Sequence, residues 1–219
     1  MGFIIRSSTK VVASDSGGSR MGGQNTVQTR LIDVADCCVV VVDVQSVFVE
    51  KLRQETQVAF IKRVAWIVTV ATKLGIPSVV TAEDIQKNGT IIPELAAALP
   101  PDTFVHNKMV FSLAADPVIF DAVLRTGKRV AVILGLETDV CVAQSALGLL
   151  ERELQVVAVR DACDSPGDGH LNGLNRMENA GVLLSDVKSL FYEWMRTLAA
   201  CRSFYSQFEG EIGDPDEFL

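Results

Sequence analysis

Three residues of this chain have the types that do covalent chemistry together: Cys141, Asp43 and Lys108. Cys141 lies in RVAVILGLETDVCVAQ, residues 129–144. That segment is apolar at every position from Val130 to Leu134, breaks at Gly135, and restarts at Val140 with helical periodicity as far as about Glu151. The pattern reads strand, turn, helix, with the thiol at or near the first helical position. The first N–H groups of a helix lack internal partners and carry partial positive charge. A thiol there is expected to fall below the roughly 8.5 of free cysteine, and the same N–H groups can hold an oxyanion. The position equally suits a small buried hydrophobe, which is how most free cysteines behave. Asp43 ends an all-apolar run. A half-buried carboxylate can take a thiol's proton, although an acid at a strand end is also a common helix cap. Lys108 follows the weaker strand segment 103–106. A loop lysine by itself is ordinarily solvated, but an ammonium beside thiolate and carboxylate would stabilise and orient both.

The elements that must bring these residues together alternate along the chain. Residues 37–42 (CCVVVV) suit a central parallel strand buried on both faces. Residues 56–74 read as a helix with Val58, Ile61, Ala65, Val68 and Thr72 along one side and Gly75 as its stop. Further strands are expected at 76–81, 103–106, 130–134, 155–159 and, at an edge, 182–184. Helices are expected at 93–98, 117–125, 140–152, 169–179 and 186–200. Such alternation predicts an α/β fold: a three-layer α/β/α architecture around a mostly parallel six-stranded sheet, order 3-2-1-4-5-6. Ligands of such sheets bind at the carboxyl ends of the strands, where the order reverses. That reversal, between strands one and four, would set Asp43 opposite Cys141, with Lys108 reaching in from strand three. Convergence on one rim makes the set a stronger candidate than any member.

Residues 1–27, with the Gly/Ser-rich SDSGGSRMGG at 14–23, read as a flexible extension; residues 28–205 form the folded domain and 206–219 an acidic tail. A net charge of −7 argues against nucleic acid as a partner. No apolar run suits a membrane span, the patch at residues 3–5 is short for a signal peptide, and Arg6 stands where a myristoylation motif wants Ser or Thr. Five scattered cysteines, with no CxxC, predict reduced thiols in a cytoplasmic protein. A dinucleotide-dependent oxidoreductase would need GxGxxG after strand one, where this chain has DVQSVF.

VVVVDVQSVF, the Asn107-Lys108 segment and GLETDVCVAQSAL resemble the isochorismatase-like cysteine hydrolase superfamily, over about residues 34–190. The resemblance implies a catalytic triad of Asp43, Lys108 and Cys141. It also implies a cis peptide between Leu136 and Glu137, with the N–H groups of Glu137 and Cys141 as oxyanion hole. GIPSVVTAEDIQKNGTIIPEL is similar to the strand-two region of members other than nicotinamidases. Nicotinamidases carry an Asp and spaced histidines between the catalytic Asp and Lys. This chain has only His106 and His170, neither between Asp43 and Val105, so no metal, no cofactor and no preference for nicotinamide are expected. His106 is expected to be structural and His170 to lie in a surface loop. The isochorismatases proper cleave a vinyl ether and lack the cysteine. Cys141 therefore points to hydrolysis of a C–N bond in a small amide or carbamoyl compound through a thioester.

Near these positions in sequence, Gln45, Phe48, Glu83, Phe111 and Thr138 are candidates to line the pocket. Glu83 and Asp84 would disfavour anionic substrates, though a solvated loop is as natural a place for them. Phe48 and Phe111 also suit a core, and Thr138 a helix cap. Family resemblance implies a homo-oligomer, with Leu190, Trp194 and Leu198 and the N-terminal arm as candidate contacts. A non-catalytic oligomeric scaffold or metabolite-binding protein on the same fold is the competing reading, and reactivity of Cys141 separates the two.

Overall fold

The computed structural model describes residues 31–213. Six strands form one sheet in the order β3-β2-β1-β4-β5-β6: β1 (Cys37–Val42), β2 (Ser78–Glu83), β3 (Val105–Lys108), β4 (Val130–Leu136), β5 (Gln155–Asp164) and β6 (Leu183–Ser185). Every pairing is parallel. Nine α-helices lie among the described residues: α1 (Ser46–Val49), α2 (Gln54–Lys73), α3 (Ile85–Asn88), α4 (Pro93–Ala98), α5 (Pro117–Arg125), α6 (Ala143–Leu150), α7 (Gly169–Asn179), α8 (Val187–Met195) and α9 (Leu198–Gln207). Right-handed crossovers put α2 and α4 on one face of this order and α5, α6 and α7 on the other. In keeping with this, α2 packs on α4 and α8, and α6 packs on α7. β1, all valine and cysteine, is buried at every position, as a central strand covered on both faces must be.

Several elements differ in extent from the sequence expectation. β3 is residues 105–108 rather than 103–106, so Lys108 is its last residue and not part of a following loop. VHNK carries a weak strand signal. Its extension comes from the neighbouring strand, with Thr81, Ala82 and Glu83 in register with His106, Asn107 and Lys108. β5 runs on to Asp164, past a register shift opposite Ile133 and Gly135. α2 does end at Gly75 (φ 71), where Ile76 N–H donates to Ala71 O at 2.9 Å and Gly75 N–H to Thr72 O at 3.1 Å, a Schellman cap. Its buried stripe, however, is Phe60, Val64, Ile67, Val68 and Ala71, and Val58 is exposed. The helix is apolar enough to offer two stripes, and the large Phe60 and Ile67 select the one that faces the sheet.

The expected helix over 186–200 is two helices, broken at Arg196 (φ 63), with Thr197 Oγ1 accepting from Ala200 N–H to cap the second. The break separates the residues expected to join copies of the chain. Leu190 and Trp194 turn into the core, while Leu198, 73% exposed, stays outside. The body also continues past residue 205: α9 reaches Gln207, Ile212 is buried, and Trp66 Nε1 donates to Gly213 O at 2.8 Å. The expected extension at 1–27 and the rest of the acidic tail lie outside the described residues. Among those residues no helix is long and apolar enough to cross a membrane.

At Gly135, β4 comes too close to β1 for any side chain. At φ +126 an added Cβ would lie 2.0 Å from Val42 O, inside van der Waals contact. Gly135→Ala combines backbone strain with overpacking and is expected to cost about 3 kcal/mol or more, read as a lowered urea midpoint. An unchanged midpoint would mean that β1 and β4 do not approach this closely.

Candidate active site

Asp43 follows β1 directly, at φ 51, a left-handed conformation that a non-glycine residue holds only where its surroundings enforce it. Its N–H donates to Thr81 O at 3.1 Å, and its carbonyl accepts from Gln45 N–H at 2.8 Å. The chain thereby turns off the sheet and leaves the carboxylate at the rim. The carboxylate is fully buried. Thr81 Oγ1 donates to Oδ1 at 2.7 Å, and Lys108 Nζ lies 2.9 Å from Oδ2. Lys108, equally buried, also donates to Val110 O at 2.7 Å and to Cys141 Sγ at 3.4 Å. The Cys141 thiol, 5% exposed, donates to Glu83 Oε2 at 3.4 Å. Lys108 Nζ is 3.9 Å from that same oxygen. The carboxyl ends of β1, β2 and β3 and the turn after β4 thus bring Asp43, Glu83, Lys108 and Cys141 into one cluster.

The electrostatics correct the expected low thiol pKa. Burial pushes Cys141 up from the ordinary thiol value, the negative charge of Asp43 and then that of Glu83 push it further, and Lys108 opposes them only in part. Cys141 is not at a free helix start. It sits inside a wide turn, Thr138–Val142, closed by Val142 N–H donating to Glu137 O at 3.1 Å and running on into α6. Burial likewise raises Cys37 and Cys163, each to about 12, and Cys38 and Cys201. Cys141 is therefore distinguished by the groups around it. Burial raises the Asp43 carboxyl as well, against the pull of Lys108 and Thr81, in the direction that suits a base. Burial alone would lower Lys108, but Asp43 and Cys141 outweigh it and hold the ammonium.

The turn that carries Cys141 is gripped from outside by α7. A Cβ at Gly173 would lie 2.7 Å from the Thr138 and Asp139 backbone, and one at Gly169 would lie 2.7 Å from Asp139 Oδ2, so the two glycines, one helical turn apart, admit a backbone-close contact. His170, between them, is half-buried in the first turn of α7 and not in a surface loop. Its Nδ1 is hydrogen-bonded to Thr138 Oγ1 at 2.9 Å. Thr138 is fully buried and makes this bond instead of capping a helix. Ser165 Oγ donates to Asp139 Oδ1 at 2.7 Å. The Leu136–Glu137 peptide is cis, and Glu137 Oε1 pairs with Lys51 Nζ at 3.0 Å.

The other candidates separate. Gln45 is fully buried, with its amide engaged by the chain itself: Oε1 accepts from Glu83 N–H at 2.7 Å, while Nε2 donates to Glu83 O at 2.9 Å and Gly89 O at 2.7 Å. Phe48 is half-buried beneath Lys51 Nζ, 4.5 Å from the ring centre, and Phe111 is exposed. His106 stands apart from the cluster, on β3, edge-on to Phe104, where it lines a cavity of about 550 Å³ that none of the four residues reaches. Thr81 and the His170 grip are additions that sequence reading missed. The Gly169-x-x-x-Gly173 spacing was a readable signal for the second, whereas Thr81 is singled out only by pairing of β2 with β1. Donor atoms of Asp43, Glu83 and Cys141 lie within 4.8 Å of one another. Lys108 Nζ, at 2.9, 3.9 and 3.4 Å from them, already fills the place a metal ion would take.

A model of the isochorismatase domain matches residues 37–189, more than half of the chain, which therefore belongs to the isochorismatase family. Isochorismatase domain-containing protein 2 of Bos taurus is 36% identical over 129 residues, 57% of this chain and 59% of the relative. The chain thus matches less than two-thirds of that relative's length. YcaC from Pseudomonas aeruginosa, solved with hexane-2,5-diol and covalent acrylamide, superposes with a TM-score of 0.78 at 25% identity, covering 87% of this chain and 94% of that one. The YcaC gene product of Escherichia coli, described as an octameric hydrolase of unknown specificity, gives 0.72 at 26% identity, covering 80% and 89%.

Because Lys108 is the group that opposes burial and the two carboxylates at the thiol, Lys108→Met is expected to slow alkylation of Cys141 by iodoacetamide at pH 7.5 by about tenfold. Peptide mapping by mass spectrometry gives the rates, and alkylation as fast in the Met variant as in the native protein would contradict the charge arrangement.

Proposed function

We propose that this member of the isochorismatase family is a cysteine-dependent hydrolase that cleaves a C–N bond of a small amide or carbamoyl compound. The observation that supports it most is the contact of a buried thiol with an ammonium that itself pairs with a buried carboxylate, Lys108 Nζ being 3.4 Å from Sγ and 2.9 Å from Asp43 Oδ2. Neither a structural cysteine nor a metabolite-binding scaffold has need of such a set.

The cycle runs on these groups and water. The Asp43 carboxylate takes the Cys141 proton as sulfur bonds to the carbonyl carbon, and the carbonyl electron pair moves to oxygen. The N–H groups of Glu137 and Cys141 hold that oxyanion. The carbonyl re-forms, the C–N bond breaks, and Asp43 returns its proton to the departing nitrogen. Water then attacks the thioester while Asp43 accepts one of its protons. The C–S bond breaks and the proton goes back to sulfur. Lys108 stays charged throughout and keeps carboxylate and sulfur in reach of each other. A thiol only 5% exposed admits a small substrate. Gln45 and Thr138 act in this reading as positioning residues, since their polar atoms bond to the protein. Phe48, Phe111 and Glu83 border the approach.

The YcaC relative solved with covalent acrylamide, an amide-bearing electrophile, fits such a site. The octameric state of the other YcaC supports assembly of this chain into a homo-oligomer. Exposed Val47, Met109, Val110 and Phe111, close in sequence to the site residues, are apolar surface for it to cover. Five free cysteines are at home in a reducing, cytoplasmic setting.

Screening small amides and carbamoyl compounds for released amine should find turnover that Cys141→Ser and Asp43→Asn each reduce by about a thousandfold or more, with the acyl adduct on Cys141 visible by mass spectrometry. Near-wild-type turnover in either variant would falsify these roles. A chain that turns over nothing, with an inert Cys141, is the scaffold.

A further inference from the structure

We infer that Glu83 is the substrate-recognition residue of this site and that the substrate carries a cationic, N–H-rich group, such as an ammonium or amidinium, beside the carbonyl that Cys141 attacks. The inference rests on the hydrolase reading for the word substrate, but the recognition itself concerns charge at the thiol and is measurable without turnover.

Position is the first observation. Glu83 is the last residue of β2, and its Oε2 is 3.4 Å from Cys141 Sγ and 3.9 Å from Lys108 Nζ. The second is how firmly it is aimed. The buried Gln45 amide grips both the N–H and the carbonyl of this one residue, at 2.7 and 2.9 Å, and Asn88 Nδ2 donates to the same carbonyl at 3.1 Å. The next residue, Asp84, takes φ 41 and donates its N–H to Lys108 O at 3.1 Å. Gln45 also donates to Gly89 O at 2.7 Å, so the one buried amide ties Glu83 to the loop beyond α3; a solvated loop glutamate has no use for such a grip, whereas a recognition residue must be held to within a fraction of an ångström.

Accessibility is the third observation. Of the charged groups at the thiol, Lys108 and Asp43 have 0% and 1% of their side-chain surface open, against 25% for Glu83. Glu83 is the charge that an arriving molecule meets. Balance of charge is the fourth. Asp43 and Lys108 neutralise each other at 2.9 Å, which leaves the cluster with the negative charge of Glu83. On the rim Lys51 is already paired with Glu137. A group at the mouth therefore meets a net negative site of reduced dielectric, where a cation is drawn in and an anion repelled. Expected at first only to disfavour anions, Glu83 becomes the partner of a positive charge.

Three thiol reagents of similar size read this out: 2-aminoethyl, methyl and 2-sulfonatoethyl methanethiosulfonate, which are cationic, neutral and anionic. In each case the thiolate bonds to the reagent's sulfenyl sulfur and methanesulfinate leaves with the electron pair. Rates at Cys141 are followed by mass spectrometry and normalised to free cysteine. The native protein should favour the cationic over the anionic reagent by about tenfold more than free cysteine does. Glu83→Gln should remove most of that preference and Glu83→Lys should invert it. The ratio cancels any change that Glu83 makes to the thiol itself. A ratio unaltered in the Gln variant, or a native protein that favours the anion, overturns the inference. If the variants fail to fold, competition on the native protein decides: n-butylammonium should protect Cys141 from iodoacetamide and butyrate should not, and absence of protection by the cation overturns the inference. An active amidase without charge preference defeats the inference alone. Charge preference without turnover of any amide or carbamoyl compound defeats the hydrolase reading alone.

Discussion

The buried ion pair between Asp43 and Lys108 is the constraint around which the rest of this structure is arranged. Taking two opposite charges out of water is costly, and their attraction offsets that cost only when the geometry is good and the remaining hydrogen-bonding capacity is met. Here Thr81 satisfies the second carboxylate oxygen, and Val110 O and the Cys141 sulfur take up the ammonium. Asp43 and Lys108 come from the ends of β1 and β3, which are not neighbours. They meet above β2, the strand that supplies both Thr81 and Glu83. Loss of either partner would strand an unpaired charge in the interior, at a cost of about 3–5 kcal/mol. The site is thus a structural commitment of the sheet as well as a candidate for chemistry.

The thiol is brought to this pair by a different device. β1 and β4 run so close that only glycine fits at residue 135, and the turn that follows is held on its far side by the glycine face of α7. His170 and Ser165 tie Thr138 and Asp139 from the same side. A side chain in a turn would ordinarily be mobile, but here packing and hydrogen bonds fix the turn from two directions. The resulting burial favours the protonated sulfur. Low thiol pKa and general-base activation are alternative routes to a reactive thiol, and the raised pKa of Cys141 is compatible with the second and not with the first.

Much of this was legible in the sequence, for reasons that are local. CCVVVV in β1 and the apolar run of β4 are buried on both faces, so their composition alone announces central parallel strands. Helices α4, α5 and α7 begin and end where caps, proline and periodicity put them. The alternation of elements pointed to a parallel sheet, for which 3-2-1-4-5-6 was the expected order, and that order, which the structure has, sets the rim. β3 was misplaced by two residues because VHNK is strand by virtue of its neighbour. The break at Arg196 left little trace in an apolar run, so a face expected to be exposed is largely core.

What the sequence by itself determined is the identity of the candidate set and the rim it occupies. Residue type and place relative to a strand end are local properties: Asp43 and Lys108 lie at the ends of β1 and β3, and Cys141 in the turn that follows β4. Only the tertiary structure decided the state and the company of those groups. The protonated thiol follows from desolvation and from two carboxylates contributed by other strands, and dielectric and distance have no sequence signature. The roles of Thr81, Gln45 and Glu83 follow from cross-strand register, and that of His170 from the packing of a helix more than twenty residues downstream. Hydrogen bonds across such separations exist only once the sheet has closed, and they convert a list of plausible residues into a site with a defined charge.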